Sequence, residues 1–218
     1  MSILREFDLH TYDMEDPFKD REFNNQVRCI AALYERLFRK YKFKNEVCWK
    51  ILIECTNDLS KQHERLIKSD VYEIYTHFDV KHFFTLSDCE KKKLILETLQ
   101  EGVRLVVEKE GWDSYIFEEV YKEIIKLDYQ NSYIYDRPKS SPTRQYKAEI
   151  FCEHTVHSFD ISIIIRDKTG RELKREKVKS EVPDEWEFVK HLGKLRWISH
   201  EEVAIINKTG KPKWIVQL

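Results

Sequence analysis

Three clusters of side chains in this sequence have types and spacings that could do chemistry. The first is Cys152-x-His154-x-x-His157. Residues i and i+2 of a strand point the same way, so Cys152 and His154 would share a face, and His157, near a turn, could swing round to join them. Thiolate and imidazole suit zinc, but zinc takes three or four such ligands in a tetrahedron, and no fourth stands nearby in sequence. The simpler reading is an inward thiol and surface histidines beside a hairpin turn. The second cluster, Asp160 with Glu172-x-Lys174, has the order of a metal-dependent nuclease. There, carboxylates hold Mg2+ and a lysine positions the attacking water. Glu-x-Lys recurs at Glu90-x-Lys92, as chance allows in a chain with 38 Lys+Arg and 39 Asp+Glu. The third, Ser199-His200-Glu201-Glu202, sets an imidazole beside carboxylates. Neighbours on a strand face opposite ways, and the second His of a His-Glu-x-x-His helix is missing. No P-loop, Gly-x-Gly-x-x-Gly or Gly-x-Ser-x-Gly occurs, and five glycines in all leave little backbone to cradle a phosphate.

Acidic surfaces are the other candidates. Asp13, Glu15 and Asp16 precede the first helical stretch, and Glu118, Glu119 and Glu123 lie opposite the apolar stripe of a later one. Together they could offer a negative face to a basic partner, where charge complementarity speeds encounter and excludes wrong partners. For any one carboxylate, a solvated helix face is the plainer account.

The elements that must position these residues are amphipathic. Ser87-Asp88-Cys89-Glu90 is a capping box, followed by Leu94, Ile95, Leu99, Val103, Val106 and Val107 at helical spacing. Gly111 suits the left-handed residue that ends a helix. Asp113 then caps a second stripe of Ile116, Phe117, Val120, Tyr121, Ile124 and Leu127, giving a helical hairpin over 87–127. Asp16-Pro17 opens the cleanest helix, with Phe23, Val27, Ile30, Ala31, Tyr34, Leu37, Phe38 and Tyr41 on one side. Period two over Val47, Trp49, Ile51, Ile53 and Cys55 predicts a half-buried strand. Thr56–Ser69 has room for a short helix, and Val71–Val80 reads as a strand. Arg137-Pro138-Lys139-Ser140-Ser141-Pro142 is the best linker signal. It divides an α+β part, 1–136, from a mainly β part, 144–218, unless one continuous domain spans both. Beyond it come strands with Ala148, Ile150, Cys152 and His154 on one face and Phe159, Ile161, Ile163 and Ile165 on the next. Arg171–Val178, charged on both sides, suits a sheet edge. Pro183–Leu192 reads as a short helix with Trp186 and Val189 inward, and three short strands follow. The fold class is α+β: antiparallel strands packed on about three main amphipathic helices, with the C-terminal half mostly an antiparallel β meander.

Composition bounds the rest. At 218 residues, 41% hydrophobic and 13% aromatic, the chain can bury a core. Charge is uneven: residues 1–136 carry 21 Lys+Arg against 27 Asp+Glu, and residues 137–218 carry 17 against 12. A total of −1 implies neither generic nucleic-acid nor membrane attraction. Five cysteines with no Cys-x-x-Cys speak for reduced thiols. No apolar leader or membrane span is visible, which points to the cytoplasm. Abundant Lys, Glu, Ile, Tyr and Phe with four alanines reads as the codon bias of an AT-rich, bacterial genome.

These observations favour a non-enzymatic, cytoplasmic protein-binding module without a cofactor. Its most concrete form is an immunity or antitoxin-type protein that neutralises a basic bacterial toxin through its acidic half. The alternatives are a metal-dependent hydrolase or nuclease using Asp160, Glu172 and Lys174 or a zinc site at Cys152, His154 and His157, or a subunit of a bacterial defence complex whose residues 137–179 touch nucleic acid.

Overall fold

Asp16 accepts a hydrogen bond from Phe18 N at 2.9 Å and Pro17 takes the first position, so α1 (Pro17–Phe38) starts where its cap dictates. Phe23, Val27, Ile30, Ala31, Tyr34 and Phe38 are all fully buried. The structure is a computed structural model. It describes every residue except 12, 13, 15, 59, 61–64, 68, 208 and 209, and the side chains of all those but 65–67. Contacts divide the chain into two units, Met1–Asn131 and Ser132–Leu218.

In the first unit, β1 (Ser2–Ile3) pairs with β3 (Lys44–Asn45), and the main sheet runs in the order β2 (Glu6–His10), β4 (Lys50–Thr56), β6 (Val71–His77), β5 (Arg65–Ile67). The pairs β2–β4 and β4–β6 are parallel, with Phe7 opposite Ile51 and Ile53 opposite Ile74, while β5 is antiparallel. The α+β class holds, but antiparallel pairing dominates only outside this sheet. The reason is α1, which carries the chain back from the end of β2 to the start of β4, as a parallel crossover requires. The helix expected within Thr56–Ser69 falls largely outside the described residues.

After the short α2 (Val80–Phe83), the capping box forms as its spacing requires: Ser87 N donates to Glu90 Oε2 at 2.9 Å and Glu90 N to Ser87 Oγ at 3.4 Å. It opens α3 (Asp88–Glu110), which Gly111 closes at φ 63°. Then α4 (Tyr115–Lys126) begins at Ser114 rather than Asp113, although Asp113 Oδ1 still accepts from Tyr115 N at 2.9 Å. Both α1 and α3 cover the sheet face bearing Phe7, Leu9, Ile51 and Ile53. At Gly102 the approach is so close that a Cβ would lie 2.6 Å from Ile53 Cγ1.

The second unit is built on antiparallel strands. A meander runs β7 (Asn131–Ser140), β8 (Tyr146–His154), β9 (Phe159–Asp167), β10 (Glu172–Glu181), with β10 and β7 at its edges. The stretch expected as a linker, Arg137–Pro142, is strand as far as Ser140; β7 tolerates Pro138 because it is an edge strand, and Pro142 falls in the turn beyond it. Asp167 Oδ1 accepts from Thr169 N and Arg171 N, and Gly170 takes φ 87°, making the tight β9–β10 turn. A one-turn helix, α5 (Glu185–Phe188), leads to a second sheet, β11 (Lys194–Trp197), β12 (Glu202–Ile206), β13 (Pro212–Gln217). Ile150, Cys152, Ile161, Ile163, Leu195, Val203, Ile205 and Val216 meet in one core between the two sheets.

Candidate partner-binding surface

The predicted acidic face of α4 is a set of ion pairs, one to α3 and two within the helix. Arg104 Nε and Nη2 donate to Glu118 Oε1 and Oε2 at 2.8 and 3.0 Å, and Gln100 Nε2 donates to Oε1 at 3.0 Å. The Arg104 hydrogen bonds hold the Glu118 carboxyl below its ordinary value against the opposing effect of burial. Lys122 Nζ lies 3.0 Å from Glu119, and Lys126 Nζ 3.8 Å from Glu123, each one helical turn away. Asp16 serves its helix cap; Asp13 and Glu15 lie outside the described residues. Exposed pairs of this kind contribute little and exchange readily for a partner's charges.

The basic stretch is answered in the same way. Arg171 pairs with Asp167 at 3.1 Å, Lys174 with Glu176 at 3.4 Å, Arg175 with Glu172 at 2.9 Å and Lys177 with Asp160 at 2.5 Å. Its cations form a lattice with carboxylates rather than a bare positive stripe of the sort a phosphate backbone needs.

The metal clusters do not assemble. Cys152 and His154 do share the inner face of β8, but both are buried in apolar surroundings, and burial pushes the Cys152 thiol up to about 12. The His154 ring packs edge-on against Phe159 and Phe188, while His157 is exposed at the turn. Among the described residues no three His, Cys, Asp or Glu side chains come close enough to hold an ion. Nor do Asp160, Glu172 and Lys174 converge. Asp160 faces Ser180 and Glu172 faces Arg166, so six residues of β9, roughly 20 Å, separate them. Lys174, opposite the core residue Ile165, lies on the other face from Asp160, and its Nζ donates to Gln217 O. Ser199–Glu201 form a turn, not a strand, with Ser199 Oγ accepting from Glu201 N and Glu202 N.

Two polar regions were not anticipated. On the sheet face opposite α1 and α3, the first unit carries Asp8, His10, Lys50, Glu54, Glu73 and Tyr75, of which Asp8, Glu54 and Glu73 are buried. In the second unit a cleft of about 660 Å3 is bordered by Tyr135, Asp136, Lys194, Arg196 and Asn207. Its described lining pairs no nucleophile with a base.

The clearest departure from expectation is Trp186, which points outward and is 86% exposed, with Val189 52% exposed beside it. The cause is Phe188. Its ring stacks on Phe159 with centroids 3.6 Å apart and the planes only 6° from parallel, which pins α5 to the core. Residues two apart on a helix are about 200° apart around its axis, so burying Phe188 turns Trp186 to solvent. Val189, three residues on, and Val182, also exposed, extend the apolar surface. Asp184 Oδ1 accepts from Trp186 N at 2.9 Å and fixes the turn. Residues 181–190 hold Glu181, Asp184, Glu185 and Glu187 against a single cation, Lys190, an acidic island within the basic part of the chain. Its sequence signal was the pair of glutamates flanking Trp186, which marks a solvent-facing position. Tryptophan is among the residue types that most often carry the binding energy of a protein interface. Compared with known protein families, with curated proteins and with solved structures, the chain has no match in any of the three.

Proposed function

We propose that this protein is a protein-binding module whose partner presents an apolar pocket rimmed by basic residues, with Trp186 as the anchor that fills it. The observation that carries this reading is the 86% exposure of Trp186 on a turn locked beneath by Phe188. A large exposed aromatic gains the hydrophobic benefit on contact and has only two side-chain torsions to fix. The carboxylates next to it in the chain, Asp184, Glu185 and Glu187, suit a basic rim. In its most concrete form the module is an immunity or antitoxin-type protein that occludes a basic toxin in a bacterial cytoplasm.

The test is parallel affinity capture with the intact protein and with Trp186→Ala, followed by calorimetric titration of the purified partner at low and high salt. A stoichiometric basic protein whose affinity falls about 30-fold or more in the variant, and weakens with salt, is expected. An acidic partner, or one that binds Trp186→Ala as tightly as the parent, would overturn the reading.

A further inference from the structure

Beside the α5 turn, three side chains form a line. His191 Nε2 lies 2.9 Å from Glu181 Oε2, and its Nδ1 lies 2.7 Å from Lys213 Nζ. Lys213 Nζ also donates to Lys190 O at 3.3 Å, and its amine lies 4.5 Å from the centroid of the Trp214 ring, which the His191 ring meets edge-on. The tautomer that satisfies both contacts of His191 has its proton on Nε2, donated to Glu181, and leaves Nδ1 as an acceptor facing the lysine. The order carboxylate, imidazole, nucleophile is that of an activated-nucleophile triad, with an amine in the last place. Among the described residues, the charged groups around this amine, Lys179, Glu181, Lys190 and His191, belong to β10 or to the turn after α5.

We propose that Lys213 is an acylation site, a prepared amine that takes an acyl group from an activated donor of the thioester class. The ammonium first gives one proton to His191 Nδ1, and the imidazolium so formed is held by Glu181. Rotation about Cε–Nζ turns the lone pair outward. The amine attacks the thioester carbonyl; the N–C bond forms, the C–S bond breaks, and the second proton leaves with the thiolate as thiol. His191 returns its proton to water. The net change is ammonium plus thioester to amide, thiol and one proton, with no oxidant or further reactant.

Burial, with Lys179 and Lys190 close by, lowers the Lys213 amine below its ordinary value and favours its free base; burial with the Lys213 and Lys179 cations keeps the imidazole below its own despite Glu181, so His191 rests neutral with Nδ1 open to the amine and holds the proton only in passing to water. The side chain itself stands at an exposed position on β13, where a donor can reach it.

Incubating the full-length protein with acetyl-coenzyme A at neutral pH, and following each lysine by peptide mass spectrometry, tests this. Lys213 is expected to acetylate about tenfold faster than the exposed Lys42 and Lys126, because His191 takes its proton and more of its amine is free base, and His191→Gln is expected to bring it down to their rate. A melting curve checks that the variant is folded. If it is not, Glu181→Gln and the pH profile of Lys213 labelling in the parent protein decide, with a half-maximal rate below that of the comparison lysines expected. Equal rates for the three lysines, or a Lys213 rate indifferent to His191 and Glu181, would overturn the proposal.

Discussion

Arg28 Nη1, from the middle of α1, lies 3.1 Å from Asp8 Oδ1 on the first sheet. Phe7 and Leu9 face the helix and Asp8 faces away from it, so Arg28 reaches round the β2 edge, where it also donates to Phe7 O at 3.2 Å. Glu35, a further two turns along α1, accepts from Phe7 N at 3.2 Å. Two helix side chains thus close the open edge of the sheet. Asp8 in turn gathers Lys50 at 2.9 Å and His10 at 3.2 Å.

Arg28→Met should therefore cost about 3–5 kcal/mol, because it leaves Asp8 buried with fewer counter-charges and Phe7 O uncovered. Urea unfolding at neutral pH measures this; a loss within about 0.5 kcal/mol, the scale of a neutral surface change, would refute it.

Acid stability should carry the mark of Asp8. Burial alone would raise its carboxyl, but Arg28, His10 and Lys50 outweigh burial and hold it well below the usual carboxylate range. In the unfolded chain the group titrates near ~4. A depressed folded value means that folding favours the carboxylate. Its contribution is complete above ~4 and drains away as pH falls below that. Asp8→Asn should lower stability at neutral pH and flatten the decline of Tm from pH ~5 downward; an acid limb identical to that of the parent protein would count against this.

Gly102→Ala tests the close approach of α3 to β4. Alanine favours a helix by up to about 1 kcal/mol over glycine, yet here its Cβ would lie 2.6 and 2.8 Å from Ile53 Cγ1 and Cδ1. Overpacking costs about 1–3 kcal/mol, so a net loss of stability is expected. Combining it with Ile53→Ala should be less damaging than the sum of the two single changes. Strict additivity, or a stabilised Gly102→Ala, would show that the helix has room.

Thiol chemistry should be all but silent in the folded protein. Of the five free cysteines only Cys89, in the first turn of α3, is exposed. Burial pushes the Cys29, Cys48 and Cys152 thiols up to about 12, so the reactive thiolate is scarce. A colourimetric disulfide reagent at mildly alkaline pH should titrate one thiol at once and the other four only after denaturant. A second fast thiol in the native state would be inconsistent with the burial of Cys29, Cys48, Cys55 and Cys152.

Local signals in the sequence translated directly into structure, because the interactions behind them span one helical turn. The caps at Asp16 and Ser87 and the stripe of α1 were legible in this way, and the edge position of β10 was legible from its charges on both faces. The pairing of Glu119 with Lys122 and Glu123 with Lys126 was legible by the same rule, whereas Arg104–Glu118 spans fourteen positions and two helices. Parallel strand order was hidden, since β2 and β4 meet only because α1 returns the chain. The direction of Trp186 was hidden as well. In a single turn containing Trp186, Phe188 and Val189, period alone cannot choose which aromatic goes inward; the choice falls to Phe159, contributed by another strand. The line Glu181, His191, Lys213 draws on three separate segments and had no signature at all.

The strand β9 is buried along both faces: Ile161, Ile163 and Ile165 on one, Asp160, Ser162 and Ile164 on the other. Its run Ile161-Ser162-Ile163-Ile164-Ile165, free of charge, proline and glycine, has the composition that stacks into fibrils when it meets its own kind. In the native sheet β8 and β10 flank it, and β10, the edge strand, carries Lys174, Arg175, Lys177 and Lys179, which any incoming strand would have to accommodate. This hairpin is therefore a guarded one, in which the most aggregation-prone segment of the molecule is followed in the chain by its own charged gatekeeper. Neutralising the lysines of β10 would leave the core intact and expose the protein, during synthesis and refolding, to self-templated assembly through β9.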